Sequence, residues 1–145
     1  MPMTADEAKA FMLAGRSIFT TRSRRTGKSY TYKVTRQDEN KPWWRVGVLS
    51  GPDNQSDYTY IGSVGWDASR YPTPSFFPPK DKAPAPSAGA FKWVLDAAFT
   101  APESFAGQVE FLHEGRCGRC TRPLTDPDSI TSGYGPECRK RMGMG

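Results

Sequence analysis

The sequence predicts an α+β fold: an antiparallel β-meander with flanking helices and a small cysteine-bearing module at its C-terminal end. Three observations predict it. Four stretches between Ser17 and Val64 alternate like strands and are separated by turn sequences. Two segments carry apolar residues at helical spacing, and the one histidine and all three cysteines fall in the last quarter of the chain.

The first element is "TADEAKAFMLAG", read as a short amphipathic helix. Thr4 and Glu7 stand at capping-box spacing, Ala8, Phe11 and Met12 share a face, and Gly15 stops the helix. The strands follow as "SIFTTRS" from Ser17, "KSYTYKVTR" from Lys28, "WWRVGVLS" from Trp43 and "DYTYIGSV" from Asp57. Their separators, "RRTGK", "QDENKP" and "GPDNQS", are turn material, and such short connections predict an antiparallel order. Adjacent Trp43 and Trp44 must point to opposite faces of their strand. Residues 70–87 hold six prolines, which exclude regular helix and central strand and leave an extended connector, laid along the sheet by Phe76 and Phe77. "SAGAFKWVLDAAFT" reads as a helix capped near Ser87, with Phe91, Val94, Leu95 and Ala98 on one face. "GQVEFLHEG" is a short strand leading into the cysteines. The organisation expected is 1–69, a helix plus antiparallel sheet; 70–87, the connector; 88–112, a helix and strand on the sheet; and 113–145, a metal-binding module.

At 145 residues the chain is long enough for a real core, and its eight Phe, six Tyr and four Trp argue against disorder. A formal net charge of +5 favours an anionic partner, nucleic acid being the commonest soluble one. No apolar run approaches the roughly 20 residues that span a bilayer, so no membrane partner is expected. The first residues carry acids where a secretory leader has a basic start, and the protein reads as cytoplasmic. In a reducing compartment three cysteines point to metal rather than disulfides.

The candidate ligands are His113, Cys117, Cys120 and Cys138. A Cys-x-x-C turn, here "CGRC", lets two thiolates converge on one ion, and its glycine permits the tight backbone. Gly135 and Pro136 start a helix that presents Cys138 inward. A knuckle followed by a ligand on a terminal helix is the layout of a treble-clef finger, and thiolates with one imidazole suit Zn2+. Without His113 the shell needs Asp126, Asp128 or water. A closed site of this kind is structural and consumes the only histidine, so no enzymatic activity is expected.

The segment "HEGRCGRCTRPLTDPDSITSGYGPECRKRMG" resembles a short zinc-finger module, uncharacterised in function, found in many bacteriophage and mobile-element proteins. The match lies at Cys117, Cys120, Leu124, Ser129, Ile130, Gly133, Gly135, Pro136 and Cys138, and "YTYKV" with "LSGPDNQSDYTYIG" extends it loosely upstream. The resemblance implies a zinc site and a phage-type protein acting in a bacterial host cell. It implies no activity.

Upstream, Arg22, Arg24, Arg25 and Lys28 crowd one hairpin tip, and Lys33 follows on the next strand. Arg116, Arg119 and Arg122 decorate the knuckle, where they bind phosphate or offset the thiolates. Tyr30 and Tyr32 share a strand face, and Tyr58 and Tyr60 repeat the pattern. Exposed, these rings would form a stacking platform for single-stranded nucleic acid; buried, they would be cross-strand core pairs. The function expected is a small, zinc-stabilised, non-enzymatic nucleic-acid-binding protein of phage type with no small-molecule substrate. The alternative is a phage protein-interaction module that inhibits a host defence or nuclease complex.

Overall fold

The computed structural model describes residues 2–81, 85–125 and 127–143. Helix α1 (Ala5–Met12) opens the chain, and both halves of its capping box form: the Thr4 hydroxyl accepts from the Glu7 N–H, and the Glu7 carboxylate accepts from the Thr4 N–H. Ala8, Phe11 and Met12 are the buried stripe. Strands β1 (Arg16–Ser23), β2 (Ser29–Thr35), β3 (Trp43–Leu49) and β4 (Tyr58–Gly65) then run as the meander, each antiparallel to the last.

Two edges complete a six-stranded sheet in the order β5-β4-β3-β2-β1-β6. Strand β5 (Ser75–Phe77) lies inside the proline-rich connector and adds to β4 for only three residues, because the flanking prolines can support nothing longer than an edge. Strand β6 (Val109–His113) pairs with β1. Helix α2 (Pro86–Thr100) starts at Pro86 with Ala85 as its N-cap and no side-chain cap. Ser87 is therefore not the cap: it lies inside the first turn, where its carbonyl accepts from the Tyr32 hydroxyl at 2.7 Å. Helix α3 (Pro102–Gln108), a segment to which the sequence assigned no element, leads directly into β6. Helices α4 (Pro127–Ser132) and α5 (Pro136–Arg141) belong to the C-terminal module. Among the described residues no helix is long and apolar enough to cross a membrane.

The helices cover one sheet face. Phe19, Tyr32, Val34, Trp44, Val46, Val64, Phe76 and Phe111 point into that core, where Phe91 of α2 meets Phe19, Tyr32 and Phe76 with ring centroids 6.5, 5.3 and 5.3 Å away. Trp44 Nε1 donates to the Leu13 carbonyl and the Ser17 hydroxyl to that of Met12, fastening α1 to the same face. The opposite face carries Arg16, Lys33, Trp43, Arg45, Tyr60 and Phe77, as period-two alternation and strand register require.

Candidate metal centre and arginine cleft

The C-terminal module hangs from β1 and α1. The Arg16 N–H donates to the Gly118 carbonyl at 3.0 Å, and the Phe11 ring lies 5.8 Å from that of Tyr134. Within it the chain folds back through a bridge between Arg116 and Pro123, and the Thr121 N–H donates to the Cys117 carbonyl, closing the knuckle turn. Thr121 itself holds φ 64°, a left-handed position costly for a β-branched residue, directly behind Cys120. Gly135 caps α5, whose first turn presents Cys138 to the knuckle.

The sulfurs of Cys117, Cys120 and Cys138 all lie within 4.8 Å of one another, so these three side chains can hold a metal ion. The donor set fits one. Burial opposes ionisation of Cys117, but backbone N–H groups of Gly135, Arg119 and Cys120 aim at its sulfur and hold its pKa below the ordinary thiol value. Cys138 is pushed up to about 11, first by burial and then by its hydrogen bonds with Cys120 and Cys117. The two thiols are thus shifted in opposite directions, and an ion bound here would have to displace the Cys138 proton. Arg119 reaches the Cys138 sulfur at 3.9 Å. The Tyr134 hydroxyl is buried beside Cys117 without a hydrogen-bond partner among the described residues, and burial followed by the Cys117 charge raises its pKa.

His113 does not join the cysteines. It ends β6 on the core-facing side, and both ring nitrogens are occupied: Nδ1 accepts from the Gly115 N–H at 3.0 Å and Nε2 lies 2.7 Å from the Ile130 carbonyl. That pairing makes Nε2 the donor and the imidazole neutral. Desolvation lowers its pKa, and the Ile130 hydrogen bond only partly opposes this. His113 thus ties β6 to α4 and lies outside the group formed by the three thiols. Asp128 lies exposed in the first turn of α4, and Asp126 lies outside the described residues. Among the described residues no histidine or carboxylate joins the three thiols.

The predicted cationic groups separate. Arg22, Arg24, Arg25 and Lys28 surround the β1–β2 turn, where Arg24 donates to the Ala106 carbonyl and Arg22 stands opposite Glu110. The finger is at the other end of β1, roughly 23 Å away at about 3.3 Å per residue. These two groups therefore do not form one patch. Arg116 turns back on its own loop and donates to the Thr121 carbonyl. Arg119 and Arg122 instead meet arginines that the sequence reading had left out of the site. Arg16, Arg36, Arg119, Arg122 and Arg141 line one cavity of about 780 Å3, whose wall also contains Cys120 and Cys138. Glu39 and Glu137 are its acids among the described residues. Among the described residues the ion pairs are Lys9–Asp6 and Lys92–Asp96, so none of the five guanidiniums is neutralised by a carboxylate. Linear spacing gave no hint of this cleft, because β1–β2 pairing and finger docking bring its parts together.

The tyrosines divide between faces. Tyr32 is fully buried, and Tyr30 is half-buried beside it with ring centroids 6.2 Å apart. Tyr58 and Tyr60 lie on the helix-free face, half-buried under cations: Lys33 Nζ is 5.7 Å from the Tyr58 ring and the Arg45 guanidinium 4.2 Å from that of Tyr60.

Fold and site together define an α+β protein whose C-terminal module is organised around a three-cysteine cluster suited to a metal ion. The model of a family of unknown function, DUF6011, matches residues 108–143, which is β6 and that module. No curated protein and no solved structure matches the chain.

Proposed function

We propose that the protein is a small, non-enzymatic nucleic-acid-binding protein stabilised by zinc. The three thiols are soft donors that favour zinc among common divalent ions, and a treble-clef-like finger gives the ion a structural role. The resemblance of the finger segment supports a phage-type protein at work in a bacterial cytoplasm. The observation that carries the reading is the cleft of five arginines, none of them in an ion pair with a carboxylate among the described residues. Planar guanidiniums grip phosphate oxygens through paired N–H donors, and a polyphosphate chain is the anion that satisfies several at once. Among the described residues Arg119 is the cleft arginine with a hydrogen bond to a cysteine sulfur, so offsetting thiolate charge does not account for the other four.

The test is fluorescence anisotropy with labelled oligonucleotides across a salt series. Binding at low salt should weaken about tenfold or more in a variant carrying Arg122→Gln and Arg141→Gln, and the slope of log K against log salt should fall by roughly two. No binding at low salt, or an unchanged slope in the double variant, overturns the reading. A stoichiometric protein partner that survives nuclease treatment, with no oligonucleotide affinity, would favour an inhibitor of a host complex instead.

A further inference from the structure

The helix-free sheet face continues the arginine cleft. Register places Arg16 beside Thr35, Thr35 beside Arg45, Arg45 beside Ser63 and Ser63 beside Phe77, a straight row across five strands. At about 4.8 Å per strand it runs roughly 19 Å from the cleft to the β5 edge. Trp43 flanks the row, 52 % exposed, with its ring 5.6 Å from that of Phe77, itself 48 % exposed. Large apolar rings left this open in a sheet with a packed opposite face are surfaces awaiting a partner.

A second cavity, about 270 Å3, opens beside Trp43 and is lined by Thr35, Gln37, Asp38, Lys41, Trp44, Arg45 and Ser63 as well. Its size is near the lower end for small-ligand sites. Gln37, Asp38 and Ser63 offer donors and acceptors suited to the edge of a base, Trp43 offers a ring face, and Lys41 and Arg45 outnumber the one carboxylate. Gln37 also lines the arginine cleft, so the two cavities share a wall. Asp38 is the carboxylate of this cavity, while Asp53 lies near Lys33 and Tyr58, Glu110 stands on β6, and Glu114 is bonded to Thr20.

We propose that single-stranded nucleic acid crosses this face from the arginine cleft to Phe77, with one base seated in the Trp43 cavity and a neighbour stacked on the Trp43–Phe77 pair. The inference rests on the nucleic-acid reading above and names the strandedness and the base-contacting residues. Bases in a duplex have no free ring face, so aromatic stacking selects an unpaired strand. Arg45, already stacked on Tyr60, sits where the backbone passes between the two rings.

The probe is a mixed-sequence 15-mer, free and as a duplex, titrated against the full chain and against Trp43→Ala and Phe77→Ala. Both side chains are exposed, and circular dichroism confirms that each variant is folded. The expected result is a single strand bound at least tenfold more tightly than the duplex, weakened about fivefold or more by either substitution, with tryptophan quenching that disappears in Trp43→Ala. Equal affinity for duplex, or full affinity in either variant, overturns this path. If the cleft variant Arg122→Gln/Arg141→Gln still loses binding, nucleic-acid recognition at the cleft survives that failure. Absence of binding to both probes ends both readings.

Discussion

His113 shows how one side chain's role turns on strand parity. Its distance from the knuckle in sequence suits a zinc ligand, but Val109, Phe111 and His113 alternate along β6, and that period puts the imidazole on the core-facing side. The alternation was visible in the sequence and outranks ligand spacing, because a strand fixes side-chain direction before a loop can bring ligands together. His113→Gln preserves an acceptor for the Gly115 N–H and a donor for the Ile130 carbonyl. Metal stoichiometry should survive that substitution at a stability cost of about 1–2 kcal/mol, whereas Cys138→Ser should lose the metal. The pH dependence has a definite sign. Folding lowers the His113 pKa from its ordinary 6.5, so protonation favours the unfolded chain. This contribution is complete above that value and declines as pH falls through it to the folded-state pKa. Chemical denaturation from about pH 7 to 5 should show a shallower loss in His113→Gln than in the parent, and equal slopes would refute the buried-tie role.

At the scale of elements, the four meander strands and α1 were legible because local chemistry specifies them: alternation, turn residues and a capping box act within a few positions. Strand β5 and helix α3 were not, since three residues between prolines become a strand only through β4, and "PESFAGQ" lacks a side-chain cap. The tyrosine pairs look alike in sequence yet face opposite ways, because register and a bulge at Val46/Gly47 set the parity of β4 against β2. The knuckle glycine shows a similar shift of cause. Gly118 has no left-handed backbone; a Cβ there would come within 2.7 Å of the Phe11 ring, which is fully buried and cannot withdraw. The constraint is thus contact between α1 and the finger. Gly118→Ala should destabilise by roughly 1–3 kcal/mol, and adding Phe11→Leu should recover part of the loss. Urea melts of the single and double variants measure this; strictly additive losses would show that the two positions are not coupled.

Across the whole molecule, the sheet with its helices and the finger have different sources of stability. The former owns a continuous aromatic core around Phe19, Tyr32, Phe91 and Phe111. The finger is about thirty residues with short helices, below the size at which apolar burial alone holds a fold. An ion held by the three cysteines would supply the remainder, such binding being worth about 10 kcal/mol or more in comparable modules. Without the ion, Cys138 keeps its proton near neutrality, because its pKa stands at about 11. Binding must release that proton, so metal affinity should rise with pH. Phe11 packs against both Phe111 of the core and Tyr134 of the finger, giving one hydrophobic hinge between the two parts. Chelation should therefore be local in its effect. Hydrogen exchange after metal removal should show lost protection across 114–143, a smaller loss in α1 beside Phe11, and little change in β2, β3 and α2. Unchanged protection in the finger would mean that the cysteines pack as ordinary buried side chains; loss throughout the sheet would mean that core and finger fold as one cooperative unit.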